Sequence, residues 1–229
     1  MLNYLANTSR PDIAFATHQC ARFSNDPRLI HEIAVKRIAR HLKGTSDRGY
    51  KIRSGLEKKL DCYVDADFCG MWTQQDDDGE DATICRSRTG YVVVFAGSPL
   101  LWTSKLQLVT ALSTTEAEYI ALSQAMREVI PLRRLMGKLV VVVGFKLKEV
   151  VTHSTIFEDN RGCIDLANSP KMRPRTRHIA LKYHHFREHV SLGQIRIKYI
   201  PTEDQLADIF TKPVSIATFI RLCDQLMGW

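Results

Sequence analysis

At 229 residues, 45% of them hydrophobic, the chain carries enough apolar material for one substantial core and a smaller appendage, which excludes a disordered protein. The longest apolar run, Leu139 to Gly144, is too short to cross a bilayer and no charged-then-apolar leader opens the chain, so a cytoplasmic or nuclear rather than a secreted setting is expected, with no membrane partner. A net charge of +7 suits a polyanionic partner without requiring one, and six cysteines, Cys20, Cys62, Cys69, Cys85, Cys163 and Cys223, with no Cys-x-x-Cys pair argue against a zinc knuckle or a disulfide framework.

The first fifty residues read as helical. Asp26-Pro27 offers a helix start, and Ile30, Ala34, Ile38 and Leu42 recur every fourth position until Gly44 ends the pattern. Arg28, Lys36, Arg37, Arg40 and Lys43 make the other face basic, which serves a solvated surface and a phosphate-facing one equally well. From Lys59 the pattern changes to strands, at Leu60 to Val64, Gly90 to Ala96, and Leu100 to Thr103 running on through Val109, with Gly97-Ser98-Pro99 as a turn. Three neighbouring antiparallel strands follow. The acidic stretch Gln74 to Asp81 between the first two has no apolar anchor and reads as a solvated hairpin loop.

A long helix is predicted from Thr114 to about Lys138, opened by the capping-box pattern Ser113-Thr114-Thr115-Glu116. Beyond it come a strand ending in Phe157-Glu158-Asp159, a short helix near Cys163 to Asn168, a helix from about His178 to His189, a strand from Ile195 to Ile200, and a terminal helix introduced by a second capping-box pattern, Thr202-Glu203-Asp204-Gln205. Three antiparallel strands followed by alternating helices and strands imply an α/β fold: one mixed sheet with helices on both faces, preceded by a small helical segment.

The chemistry-bearing feature is a set of acids at element ends. In open α/β sheets, sites form beyond the carboxyl ends of the strands. Asp65 closes the first strand, with Asp67 two residues on, and Asp159 closes a later one. In the long helix Glu118 shares a face with Leu122, Ala125, Val129 and Leu132, so it points inward. Glu116 lies about 200° of helical rotation away, on the side of Ser123, Arg127 and Arg134, where a capping role suffices. A carboxylate on an apolar face is costly unless a cation or a donor meets it. Asp208, in the segment leading to the terminal helix, is a fourth candidate. Each acid alone has a plainer explanation: a strand end for Asp65, a helix cap for Asp159, an exposed helical acid for Asp208. Hard oxygen ligands drawn from several elements suit magnesium.

At these residues the chain resembles the ribonuclease H domain of copia-type long-terminal-repeat retrotransposons. The resemblance is carried by Tyr63-Val64-Asp65-Ala66-Asp67-Phe68, Ser87-Arg88-Thr89-Gly90-Tyr91-Val92, Leu112-Ser113-Thr114-Thr115-Glu116-Ala117-Glu118-Tyr119 and Glu158-Asp159-Asn160. Further on, Arg175-Thr176-Arg177-His178-Ile179, Lys182-Tyr183-His184-His185-Phe186-Arg187-Glu188 and Gln205-Leu206-Ala207-Asp208-Ile209-Phe210-Thr211-Lys212-Pro213 continue the series. Upstream, Thr8-Ser9-Arg10-Pro11-Asp12-Ile13 and Arg40-His41-Leu42-Lys43-Gly44-Thr45 resemble the end of that family's reverse transcriptase. The implied organisation is residues 1–50 as the helical end of a reverse transcriptase thumb or connection and 59–229 as a ribonuclease H-like domain.

The resemblance places four metal-binding catalytic acids on Asp65, Glu118, Asp159 and Asp208, and selects Asp65 over Asp67. It implies two Mg2+ ions, with Mn2+ as a substitute, and two-metal hydrolysis of the RNA strand of an RNA/DNA hybrid. The upstream reverse transcriptase of the same polyprotein is the implied partner, and a cytoplasmic retrotransposon particle, or the nucleus, the setting. Many such domains carry a loop histidine before the last helix, whereas Tyr199-Ile200-Pro201-Thr202 has none. Tyr63-Val64-Asp65-Ala66 approaches the Tyr-x-Asp-Asp of polymerase palms, but Ala66 replaces the second aspartate, which rules out polymerase chemistry at this point. Lys171, Arg173, Arg175, Arg177, Lys182 and Arg187, with Tyr183 and Phe186 interleaved, form a candidate grip on the hybrid backbone. The histidines among them, His178, His184, His185 and His189, lack cysteine partners at zinc spacing. The competing readings are a non-catalytic hybrid-binding remnant of a decayed element and a structural tail of a polymerase.

Overall fold

The computed structural model describes residues 1–52, 58–70, 85–143, 153–169, 179 and 181–229. Five strands, β1 (Leu60–Asp67), β2 (Arg88–Phe95), β3 (Ser98–Leu106), β4 (Ser154–Glu158) and β5 (Ile195–Tyr199), form one sheet in the order β3-β2-β1-β4-β5. The first three pair antiparallel, and β1, β4 and β5 run parallel. This is the mixed, ribonuclease H-like arrangement expected. β2 is buried along nearly its whole length, as its Tyr91-Val92-Val93-Val94 run requires of a strand covered on both faces.

The β2–β3 turn falls one residue earlier than expected. Phe95 pairs with Ser98, leaving Ala96 and Gly97 as the corner with φ of 49° and 72°. Two successive left-handed residues give the twist that matches a tight hairpin. Pro99 then lies inside β3, an edge strand, beside the register shift at Val93/Val94, where a residue without an amide hydrogen is tolerated.

One face of the sheet is covered by α4 (Thr114–Val143), α5 (Arg161–Asn168) and the segment 181–191. Leu60, Cys62, Val64, Val93 and Ile156 meet Ala121, Leu122, Ala125 and Val129 there. α4 runs past Lys138, because Leu139 to Val143 continue the helix. Its Ser123 side is buried as well, with the Ser123 hydroxyl 3.5 Å from His185 Nδ1, so the polar face expected at that turn is an internal contact. The helix expected over 178–189 is instead a 3-10 turn (Leu181–His184) followed by α6 (Arg187–Ser191), with residue 178 outside the described residues. Buried Tyr183 and Phe186 lie three apart, the spacing that a 3-10 turn aligns.

On the other face, α7 (Asp208–Thr211) and α8 (Ile216–Met227) pack with Val92, Val94 and Trp102. The second capping-box pattern does not open a long helix. Thr202–Asp204 is a single 3-10 turn, after which Gln205 turns inward and its Nε2 donates to Val64 O at 2.8 Å. α8 starts two elements later, with the Ser215 side chain accepting from Thr218 N, and ends at left-handed Gly228.

The N-terminal helices α1 (Leu2–Thr8), α2 (Ala14–Ala21) and α3 (Leu29–Gly44) pack around Ala6, Ile13 and Ile38. They also dock on this second face, where Trp102 Nε1 donates to Ala6 O at 2.6 Å and Ala14 joins the α7/α8 cluster. The fourfold apolar stripe on α3 is only partly covered, since Ile38 is buried while Ile30 is 68% exposed. The six cysteines are unpaired, and no helix among the described residues is long and apolar enough to cross a membrane.

Candidate metal centre

Strand register brings the first two acids together. The parallel β1–β4 pairing sets Tyr63 beside Phe157, their rings stacked at 4.7 Å, so two residues on Asp65 comes level with Asp159, just past the end of β4. Asn160 caps α5, its side chain accepting from Cys163 N at 2.9 Å, which frees Asp159 from the capping role open to it in the sequence. Glu118, in the second turn of α4, reaches the same strand ends and accepts a hydrogen bond from the backbone of Ala66. Ligand oxygens of Asp65, Glu118 and Asp159 lie within 4.8 Å of one another. Glu116 performs the separate capping task, accepting from Leu112 N at 2.8 Å while its own amide donates to Ser113 Oγ.

These acids are poorly neutralised. Asp65 is 2% and Glu118 3% exposed, and Glu118 Oε2 has no hydrogen-bond partner among the described residues. Burial, reinforced by Asp208 and Asp159 against the opposing pull of Lys212 and the Thr211 hydroxyl, pushes the Asp65 carboxyl up to about 7. Burial and the charges of Glu158, Asp65 and Asp159 raise Glu118 well above the usual carboxylate range. An all-oxygen set of two buried carboxylates and one half-buried one, with Glu118 Oε2 left without a donor among the described residues, fits a hard divalent cation, whose charge removes the desolvation cost that the acids otherwise carry.

Asp208 is buried too, and it neighbours Asp65 without belonging to the three-acid group. It faces Lys212, whose Nζ is 2.9 Å from Asp208 Oδ1 and 3.8 Å from Asp65 Oδ2. The Thr211 hydroxyl donates to Asp65 Oδ2, and the Thr202 hydroxyl to Asp159 Oδ2 at 2.7 Å. A fifth acid, fully buried Glu158, accepts from Asn160 N through Oε1 and leaves Oε2 without a partner among the described residues. Sequence reasoning missed Thr202, Thr211, Lys212 and Glu158 as parts of the site. For Glu158, Thr211 and Lys212 the signal was only that they stand inside the motifs that carry the resemblance, and Thr202 stood only in the second capping-box pattern.

The candidate hybrid grip is less fully visible. Lys171, Arg173, Arg175 and Arg177 lie outside the described residues, as does the acidic stretch 74–81, and the side chain of Lys182 is likewise not described. Arg187 opens α6 at the far end of that segment. The described histidines are engaged in packing: His184 Nδ1 is 2.8 Å from the Tyr119 hydroxyl, His185 approaches Ser123, and His189 Nδ1 is 2.7 Å from Gln194 Oε1.

A mixed α/β sheet with three acids gathered near the adjoining ends of two parallel strands, close enough together that they could hold a metal ion, defines the class. The chain belongs to the retrovirus-related Pol polyproteins of transposons. It is 37% identical over 227 residues to the polyprotein from transposon TNT 1-94 of Nicotiana tabacum, a match covering 99% of this chain and 16% of that one. It is 35% identical over 225 residues to the polyprotein from transposon RE1 of Arabidopsis thaliana, covering 98% of this chain and 14% of the relative. The chain thus spans about one-sixth of the length of these relatives. Among solved structures it is similar to LC11-RNase H1, isolated from compost, with a TM-score of 0.42, 17% identity, and coverage of 67% of this chain and 93% of that one. No protein-family model matches.

Proposed function

We propose that the chain contains a metal-dependent ribonuclease H domain, within residues 59–229, that hydrolyses the RNA strand of RNA/DNA hybrids as part of a transposon Pol polyprotein. Residues 1–50 are the helical end of the preceding reverse transcriptase, which is the domain's partner in the same polyprotein, working in a cytoplasmic particle or the nucleus. The observation that carries this reading is the convergence of Asp65, Glu118 and Asp159, from three separate elements, to within 4.8 Å. Isolated buried acids serve as caps or strand ends, whereas three sharing one site without a full set of donors must either keep a proton or meet a cation, and a divalent ion relieves all three at once.

Asp65, Glu118, Asp159 and Asp208 would hold two magnesium ions, with manganese as a substitute. When bound, magnesium supplies Lewis acidity to the scissile phosphate and makes water a better nucleophile at neutral pH. The chain's own groups orient the ligands: the Thr211 hydroxyl steers Asp65, the Thr202 hydroxyl steers Asp159, and the Ala66 amide steers Glu118. Lys171, Arg173, Arg175, Arg177, Lys182 and Arg187 grip the hybrid backbone. Choice of the RNA strand rests on 2′-hydroxyl and groove-shape contacts rather than on base edges.

The test is cleavage of a labelled RNA/DNA hybrid by the purified chain with magnesium, beside Asp65→Asn. Cutting by the parent chain is expected, falling by about a thousandfold or more in the variant while hybrid affinity stays within about threefold. Binding without cutting by the parent chain would instead establish the hybrid-binding remnant.

A further inference from the structure

The acids at the sheet end are not served alike. Asp65, Glu118 and Asp159 face one another with no lysine or arginine within ion-pair distance of Glu118 or Asp159 among the described residues. Asp208 already holds a cation, the Lys212 ammonium at 2.9 Å, which also stands 3.8 Å from Asp65 Oδ2. The ammonium thus forms an ion pair with both carboxylates at once. The side chain is 34% exposed. It also lines a cavity of about 580 Å³ walled by Phe15, Ile33, Pro213 and Val214, which gives its aliphatic stem room to withdraw without opening the sheet.

We propose that Lys212 is an internal competitor for the Asp65–Asp208 side of the site, so that a first divalent ion enters at Asp65, Glu118 and Asp159 and a second is admitted only as Lys212 withdraws. The inference rests on the metal-centre reading above. An ammonium and a divalent ion on the same two carboxylates repel at contact distance, where screening is weak. The second ion therefore binds more weakly than the first by the work of breaking the Lys212 pair. Lys212 is here a positioning residue, setting which carboxylates are open to metal.

Calorimetric titration of the full chain with Mn2+ tests this, without substrate, at 0.1 M and 0.5 M KCl. Lys212→Met, which keeps the stem against the cavity, should tighten the second ion by about tenfold or more and change the first by less than about threefold. The gain should persist at 0.5 M KCl, where a diffuse change of net charge is screened but a contact competitor is not. Lys212→Gln should behave like Lys212→Met, and Lys212→Arg, which keeps a cation in place, like the parent. A second-ion affinity unchanged or weakened in both neutral variants, or a gain that vanishes at high salt, overturns the proposal. If the first ion binds, is lost in Glu118→Gln, and the neutral variants leave the second unchanged, the metal centre stands and the role of Lys212 falls. If the parent chain binds no divalent ion, both fall together.

Discussion

Two regions of the molecule bury carboxylates, and they treat them in opposite ways. Beneath the N-terminal helices, Asp12 receives both arms of the Arg10 guanidinium, at 2.9 and 2.7 Å, and His41 Nε2 at 2.7 Å. Arg10 also donates to Thr45 and lies against the Trp229 ring, so this network ties the first helices to the last residue of the chain. At the sheet end, Asp65, Glu118 and Glu158 are as deeply buried, yet one oxygen of each glutamate, Oε2, has no donor among the described residues. Burial pushes Asp12 up, but His41 and Arg10 outweigh it and hold the carboxyl below its usual value, whereas Asp65 is pushed up to about 7. A satisfied buried acid joins elements. The set at the sheet end, left short of donors, is the one proposed to hold metal.

The sharpest way to break this comparison is Asp12→Ala. The substitution leaves the Arg10 guanidinium, 8% exposed, without a counter-charge, and truncating one partner of such a pair costs about 3–5 kcal/mol. Against the roughly 5–15 kcal/mol that holds a domain together, that is a large loss. Urea unfolding followed by circular dichroism should show it. A loss below about 1 kcal/mol would falsify the claim that this network is a structural joint.

The second prediction concerns pH and has the opposite sign at the two sites. An unfolded Asp65 releases its proton near 3.8, while the folded one keeps it to about 7. The stability this contributes is fully present below pH 3.8 and is lost as pH rises through 7. Asp12, with its lowered value, contributes stability that is present above 3.8 and lost as pH falls further. His18, held down to about 4 by burial and by Arg88 and Arg22, adds a contrary slope between 4 and 6.5, so the acid site is best read as a difference between proteins. Metal-free Asp65→Asn should gain melting temperature over the parent as pH rises from 4 to 8, and Mg2+ should close the gap by stabilising the parent. A difference flat with pH would show that Asp65 is not strained by its neighbours.

How much of this was legible in the sequence depended on whether the signal was local. Asp65 and Asp159 announced themselves as lying near strand ends, although β1 runs two residues past Asp65 to Asp67 and β4 stops one short of Asp159, and the four, seven and eleven spacing to Leu122, Ala125 and Val129 turned Glu118 inward, as observed. The capping pattern at Ser113 marked the start of α4 to the residue. The same pattern at Thr202 misled, because that hydroxyl bonds Asp159, 43 residues away, and the chain turns inward at Gln205 instead of continuing as a helix. α7 has four residues, too few for periodicity to register. Thr211 and Lys212 became part of the site through contacts to Asp65, 146 residues from Thr211, which no local pattern reports.

Gly90 offers the smallest test, and it bears on how the acid end is assembled. It pairs with Asp65 across β1 and β2, and a Cβ there would lie 2.5 Å from Thr211 Cγ2 and 2.8 Å from Phe210 Cβ. The missing side chain is what lets α7 rest on the strand, pinned by Ser104 Oγ donating to Phe210 O at 2.5 Å, with Thr211 in reach of Asp65. Gly90→Ala should therefore cost about 1–3 kcal/mol by overpacking, since Phe210 Cβ is too close to the backbone to move alone. It should also weaken Mn2+ binding, because lifting α7 draws Thr211 and Asp208 away from Asp65. A comparable overpacking substitution beneath the N-terminal helices would lower stability and leave metal affinity where it was. If Gly90→Ala does the same, α7 supports the fold without shaping the metal centre, and the contrast between the two regions narrows to the three acids alone.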